Sequence, residues 1–250
     1  MSRALTLPEE LLLLAHRESG KLRESTRVAA ACAVAELGEL ALRGRLLVRF
    51  EESALPGLRF FRFEHAVIEL LAAERTGLWW ADHLLAELLQ RREAGPIPLD
   101  YKWVRRHHDA LPRHRAALAH RGLLRVEPAT GLTRFIARER HRPDTAVRDA
   151  LIAELRAPTA GRRALDARLL FLSDLVAAVG LHGELGISDR AFPRRMNPRR
   201  GIGVVTFRPE AMRDTSFALA SAVPTRSGSD GGGGDGGDGG GDGGGGGGGD

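Results

Sequence analysis

ELALRGRLLV, residues 39–48, begins as a helix and ends as a strand. Alanine and leucine dominate the run from Ser25 to Arg43, the composition that most favours a helix. Gly44 then stands where a left-handed residue closes a helix, and RLLVRF (45–50) has strand content. GLRFFRFE (57–64), reached through a Pro56-Gly57 turn, is expected to pair with it as a hairpin. Ala29, Ala30, Ala31, Ala33 and Ala35 let neighbouring backbones approach closely, so helix 25–43 should be central. Ser25 or Thr26 is its expected N-cap. Arg43 complements the negative end of the helix dipole, and Arg45 is expected to pair with a carboxylate such as Glu39.

On the N-terminal side, TLPEELLLLAHRESG (6–20) reads as a buried helix capped by Thr6 and stopped by Gly20, with Glu9 and Glu10 in its first turn. On the C-terminal side, residues 64–93 read as two helices separated by Gly77, and GPIP (95–98) breaks the chain. Residues 101–122 form a strongly basic helical stretch kinked or split at Pro112. The opening grammar then returns. LAHRGLLRVEP (118–128) closes a helix on Gly122, 78 residues after Gly44, and feeds a strand for which TGLTRFIARE (130–139) is the expected return. Pro143 and Asp144 start another helix, residues 159–186 contain a further buried one, and 207–223 a last one.

From Ser227 to Asp250 the chain contains only Gly, Asp and Ser, a composition that buries nothing and implies a disordered tail. The formal net charge is +5; without the tail's five aspartates the body stands at +10. Arginine supplies all but Lys21 and Lys102 of the 37 basic residues, a bias that a GC-rich genome writes, yet one that suits phosphate and carboxylate partners. Cys32 is alone, which fits a reducing cytoplasm. The Leu11–Leu14 run follows Pro8, Glu9 and Glu10 and does not read as a signal peptide, and no apolar stretch reaches the roughly 20 residues that span a bilayer. The expected class is mainly α: a single globular helical domain with short β-hairpins over residues 5–190, with 190–226 open as its completion, and a disordered tail over 227–250.

Four segments in order, LTLPEELLLLAHRESGKL, ELALRGRL, LAHRGLL and RRALDARLLFLSDLVAAVGL, resemble the Golgi phosphoprotein 3 family, in particular its bacterial and actinobacterial members. The resemblance implies a mostly helical domain with short hairpins and a non-enzymatic role. Eukaryotic members bind phosphatidylinositol 4-phosphate through a basic pocket and bridge coatomer to glycosyltransferase tails. Aligned on ELALRGRL, the family's headgroup tryptophan and arginine fall on Glu24 and Ala33. Its second basic pair falls on His108 and Leu111 or, with about four inserted residues, on Lys102, Arg105 or Arg106.

The residues themselves offer a headgroup or phosphate site in Lys102, Arg105, Arg106, His108 and Arg113, with Arg23 and Arg27 as neighbours; the bland alternative is a solvated helix face. Each base near an anionic bilayer contributes about 1 kcal/mol. His107, His108, His114 and His120 lack the i, i+4 spacing of a helical metal pair and read as polar surface residues. One of Trp79 and Trp80 should face the core and the other solvent, as an interfacial anchor or ordinary packing. Phe60, Phe61 and Phe63 alternate with arginines as in an amphipathic hairpin strand. Asp166 and Asp174 are expected to pair with Arg162, Arg163 and Arg168. No motif requires a cofactor. The expectation is a cytoplasmic adaptor resting transiently on the inner membrane surface, whose partners are anionic, phosphoinositide-like headgroups and cytoplasmic tails of membrane proteins. A protein–protein scaffold and a winged-helix-like DNA-binding protein are the alternatives.

Overall fold

The computed structural model describes residues 4–55, 58–128, 139–158, 166–187 and 209–224. In chain order the elements are α1 (Leu7–Ala15), α2 (Ser25–Leu42), β1 (Leu46–Leu55), β2 (Leu58–Leu70), α3 (Trp79–Arg92), β3 (Ile97–Pro98), α4 (Tyr101–Arg106), α5 (Ala110–His120), β4 (Leu124–Glu127), β5 (Arg140–Pro143), α6 (Thr145–Arg156), α7 (Ala167–Val179) and α8 (Pro209–Ser221). The described residues are thus mainly α, with short antiparallel pairings.

Helix α2 is the axis. Its residues from Ala30 to Ala41 are buried on every side, and α1, α3, α4, α5, α7, α8 and β1 all pack on it. Its small side chains allow that many neighbours to approach, as the sequence implies. Gly44 adopts φ +70 and Arg45 N–H returns to the Leu40 carbonyl at 2.9 Å, closing the helix before β1 starts. The N-terminal cap differs from expectation. Neither Ser25 nor Thr26 occupies it; the cap is Glu24, held at φ 40 with no side-chain cap bond.

Helix α1 stops at Ala15, not Gly20. Its first turn is closed by the Glu9 carboxylate, which accepts from Thr6 N–H at 2.7 Å. At the other end His16 pairs with Leu22 in an isolated bridge, which folds residues 17–21 into a turn ending at Gly20. The Gly20 carbonyl accepts from His141 N–H at 3.0 Å, so this turn is seated against β5.

β1 and β2 form the expected hairpin, in register from Leu46 opposite Leu70 to Leu55 opposite Leu58. Residues 64–70 are strand, not helix, and 71–76 are irregular. Ala66, Val67 and Ile68 are all buried, so this part of β2 is covered on both faces, and β3 pairs along its other edge. The helical split in the basic stretch falls at His107–Asp109, ahead of Pro112. Pro112 lies in the first turn of α5, where a missing N–H forfeits no helical bond. β4 pairs with β5, Leu124 opposite Pro143; the anticipated return strand at 130–139 lies, except for Glu139, outside the described residues. The 190–208 segment and the 225–250 tail lie outside them as well. α8 packs on β1, α2 and α7, fixed by the Thr215 hydroxyl, which accepts from Val48 N–H at 3.1 Å, and by Phe217 against Phe50.

Arginines tie these layers together. Arg168 of α7 reaches Glu10 at 3.0 Å and Glu39 at 3.4 Å, and donates to the Leu5 carbonyl. Arg121 reaches Glu9 at 3.1 Å. The partner of Glu39 at the Gly44 corner is Arg43, at 2.8 Å; Arg45 turns instead to Glu74 at 3.1 Å, since it lies three residues beyond the helix, past the Gly44 turn. Asp166 caps α7 by accepting from Leu169 N–H, and Asp174 accepts from the Ser216 hydroxyl at 2.6 Å; Arg168 turns to Glu10 and Glu39, and Arg162 and Arg163, the other expected partners, lie outside the described residues.

Burial also predicts an acid-sensitive spot. His16, against the His141 ring, is held at a pKa of about 4, first by burial and then by Arg115 and His141. The unfolded chain takes up that proton near pH 6.5 while the native state refuses it down to about 4, so His16 withdraws stability as pH falls through this window. Its share is about 3 kcal/mol. Chemical unfolding from pH 7.5 to pH 4.5 should show a shallower loss for His16→Gln than for the natural chain.

Candidate functional site

The basic residues singled out from sequence separate into two groups. Arg23 and Arg27 sit at the N-terminal end of α2, where Arg23 pairs with Glu184. Arg27 donates to the Pro224 carbonyl at 3.2 Å and to the Ala178 carbonyl, serving the C-terminal end of α7 rather than a ligand. The other five lie in α4, α5 and the turn between them. Arg113 bonds Glu36 at 2.8 Å, so this group sits at the level of Glu36, nine residues or about 14 Å along α2 from Arg27. The seven residues do not form one recess.

Arg113 is also engaged: besides the buried Glu36 it pairs with Asp109 and lies over the Trp79 ring at 5.8 Å. The positions aligned with the family's tryptophan and arginine are Glu24, at the strained cap, and Ala33, which is fully buried inside α2.

The remaining group is exposed. In α4, Trp103 and Val104 face the core, while Lys102, Arg105 and Arg106, spaced i, i+3 and i+4, face solvent. None of the three has an ion-pair partner among the described residues. Asp100 caps the helix, accepting from Trp103 N–H at 2.8 Å. His108 is exposed and donates to the Arg105 carbonyl at 3.0 Å, adding to the same edge. Two aromatics border this surface: Tyr101, 64 % exposed, and Trp79, 70 % exposed. Trp80 is buried, so the adjacent tryptophans divide as expected. Trp79 connects to α4 through Arg113, Asp109 and His108 in sequence.

The loop that presents Trp79 is pinned. Asp82 accepts from Thr76 N–H at 2.6 Å and from its hydroxyl at 2.8 Å, which keeps the Asp82 carboxyl below its ordinary range. Leu78 N–H donates to the Thr76 hydroxyl in turn.

Two of the four histidines are not surface residues. His114 is buried, donates to Glu36 at 2.8 Å and meets Trp80 edge-on. His107 is buried, stacks on Trp103 at 4.1 Å and lies 3.2 Å from Glu87. They pack because the helix phase turns both inward, which their spacing alone did not reveal. His108 and His120 are exposed as read. Among the described residues no cluster of three or more His, Cys, Asp or Glu could hold a metal ion. No described helix is long and apolar enough to cross a membrane. Side chains of Phe60, Phe61 and Phe63 lie outside the described residues.

Sequence reading missed Tyr101, although an aromatic next to Lys102 at a helix start was visible. It also missed Arg17 and Arg148, which join Arg23 only through the fold. Comparison with protein families matches residues 7–219 to the model of Golgi phosphoprotein 3 (GPP34), extending past residue 190 into the segment that the sequence leaves open as the domain's completion. No curated protein matches the chain.

Proposed function

The chain belongs to the Golgi phosphoprotein 3 family, and from that premise we propose that it is a non-enzymatic peripheral membrane adaptor that docks on anionic, phosphoinositide-bearing surfaces through α4. The observation that carries this reading is the unpaired trio Lys102, Arg105 and Arg106 beside exposed Tyr101 and Trp79. Bases on an exposed helix face attract anionic headgroups, and aromatic rings at the same level settle at the headgroup–acyl boundary. Three bases at about 1 kcal/mol each give reversible, salt-sensitive attachment. Headgroup contact is therefore assigned to an open surface; Arg23, Arg27 and Arg113 support it only by holding the fold.

Vesicle flotation tests the reading. Recovery should be low with phosphatidylcholine, rise when phosphatidylserine is added, and rise further with phosphatidylinositol 4-phosphate. The triple variant K102Q/R105Q/R106Q should lose about 3 kcal/mol, roughly 100-fold in partition coefficient, with unchanged circular dichroism. Recovery of the triple variant equal to that of the natural chain would remove α4 from the reading, and absence of flotation on every anionic mixture would remove the membrane.

A further inference from the structure

The bases on α4 lack acids of their own although several stand nearby. Asp100 is engaged in the helix cap, Asp109 pairs with Arg113, and Glu87 serves Arg91 and His107. Arginines elsewhere on the described surface have found carboxylates: Arg43 has Glu39, Arg45 has Glu74, Arg49 has Glu69 and Arg142 has Glu127. Lys102, Arg105 and Arg106 thus present one helical turn of exposed charge that no described carboxylate compensates.

The complementary charge is carried by the same chain. From Ser227 to Asp250 there are five aspartates, at 230, 235, 238, 242 and 250, and no base. Glycine and serine make up the rest, so this segment has no apolar side chain to bury and offers a partner charge alone. Its root is placed by Arg27, whose Nε donates to the Pro224 carbonyl at 3.2 Å. That is the N-terminal end of α2, about 14 Å along the helix from the level of α4 and α5. Asp235 and Asp242 follow Pro224 by 11 and 18 residues, and glycine-rich chains of those lengths span about 18 and 24 Å root-mean-square. The bases are within reach, at an effective concentration on the order of millimolar.

We propose that the aspartates of residues 227–250 occupy Lys102, Arg105 and Arg106 as an internal competitor for the membrane, and that α4 is released where the surface charge of a bilayer exceeds what the tail supplies. This regulation rests on the α4 docking reading, although the contact itself needs no membrane. Each pairing is exposed and screened, so salt weakens the tail contact and the headgroup contacts together. Weak closure is what a competitor requires. A tail that covers about two molecules in three weakens apparent partition about threefold and still yields to a strongly charged surface.

Lysine occurs only at 21 and 102, which makes the contact chemically addressable. A carbodiimide joins a carboxylate to an amine where the two meet, and trypsin releases the tail as one piece because no base follows Arg226. In the full chain at about 50 mM salt, the tail should be joined to Lys102 at several times its yield on Lys21, which is exposed on the turn after α1. R105Q/R106Q keeps the reporting amine and should bring the Lys102 yield down to that of Lys21; vesicles carrying phosphatidylserine should do the same. On those vesicles, the chain with all five tail aspartates changed to serine should partition about threefold more strongly than the natural chain. The same changes added to K102Q/R105Q/R106Q should give no gain. Closure is overturned by equal yields on the two lysines, by a Lys102 yield that R105Q/R106Q leaves unchanged, or by equal partition of the serine variant. A joined product of twice the chain's mass overturns it as well, since the tail would then lie on another copy. A chain that joins its tail to Lys102 yet floats on no anionic mixture loses the membrane reading and keeps the contact; flotation with equal lysine yields does the reverse.

Discussion

Replacing Arg168 with methionine should destabilise the chain by about 3–5 kcal/mol at pH 8 and by clearly less at pH 5. The guanidinium is the cation facing two buried carboxylates, Glu10 of α1 and Glu39 of α2, and it also binds the Leu5 carbonyl ahead of α1. Burial alone would lower the Arg168 pKa; the two carboxylates overcome it and hold it above its ordinary value. Glu10 shows the opposite strain. Burial raises its pKa to about 7, even with Arg168 beside it. Its Oε2 is buried without a hydrogen-bond partner.

The pH dependence follows from that value. In the unfolded chain Glu10 titrates near 4.5, and in the native state near 7, so its stabilising share is complete below 4.5 and is lost as pH rises through 7. At pH 8 the variant must either bury an unpaired carboxylate or take up a proton at further cost. At pH 5 Glu10 is already neutral, and the losses that remain are the Glu39 contact and the bond to the Leu5 carbonyl; Arg43 and Leu7 N–H still serve the Glu39 carboxylate. Urea unfolding at both pH values measures the difference. A loss that is equal at pH 5 and pH 8 would show that Glu10 and Arg168 do not share a titration.

How far such features can be read from sequence depends on whether the partner is near in the chain. The α2-to-β1 corner was legible because Gly44, its helix and its strand are contiguous. The α4 face was legible for the same reason: Lys102, Arg105 and Arg106 carry their own helical spacing, opposite Trp103 and Val104. Residues 64–70 were misleading because Ala66, Val67 and Ile68 are buried together. A strand covered on both faces loses the alternation that distinguishes it from a buried helix. The arginines failed differently. Arg27 serves a carbonyl 197 residues away and Arg113 a carboxylate 77 residues away, so no local pattern could show that they were engaged. Excess positive charge indicated an anionic partner in general; only the fold distinguishes arginines already engaged from those still exposed.

Phe171→Ala should cost about 3–5 kcal/mol, because it empties the close meeting of α7, α2 and α1 at Gly38. Phe171 of α7 is 1 % exposed, and it lies over Gly38 of α2, with Leu7 of α1 on the other side. A Cβ built at Gly38 would stand 3.0 Å from Phe171 Cδ1 and 2.7 Å from Leu7 Cδ2, so glycine there is the condition for three helices meeting. Gly38→Ala alone should therefore cost about 1–3 kcal/mol by overpacking. The two changes should not add. With Phe171 cut back, the new methyl at 38 enters part of the vacated volume, and the double variant should lose about 0.5–1 kcal/mol less than the sum of the single losses. Full compensation is ruled out by Leu7, which still blocks the shorter approach. Denaturant unfolding of the four proteins measures this coupling. Strict additivity would mean that α7 and α2 do not meet at Gly38, and the packing order around the central helix would have to be redrawn.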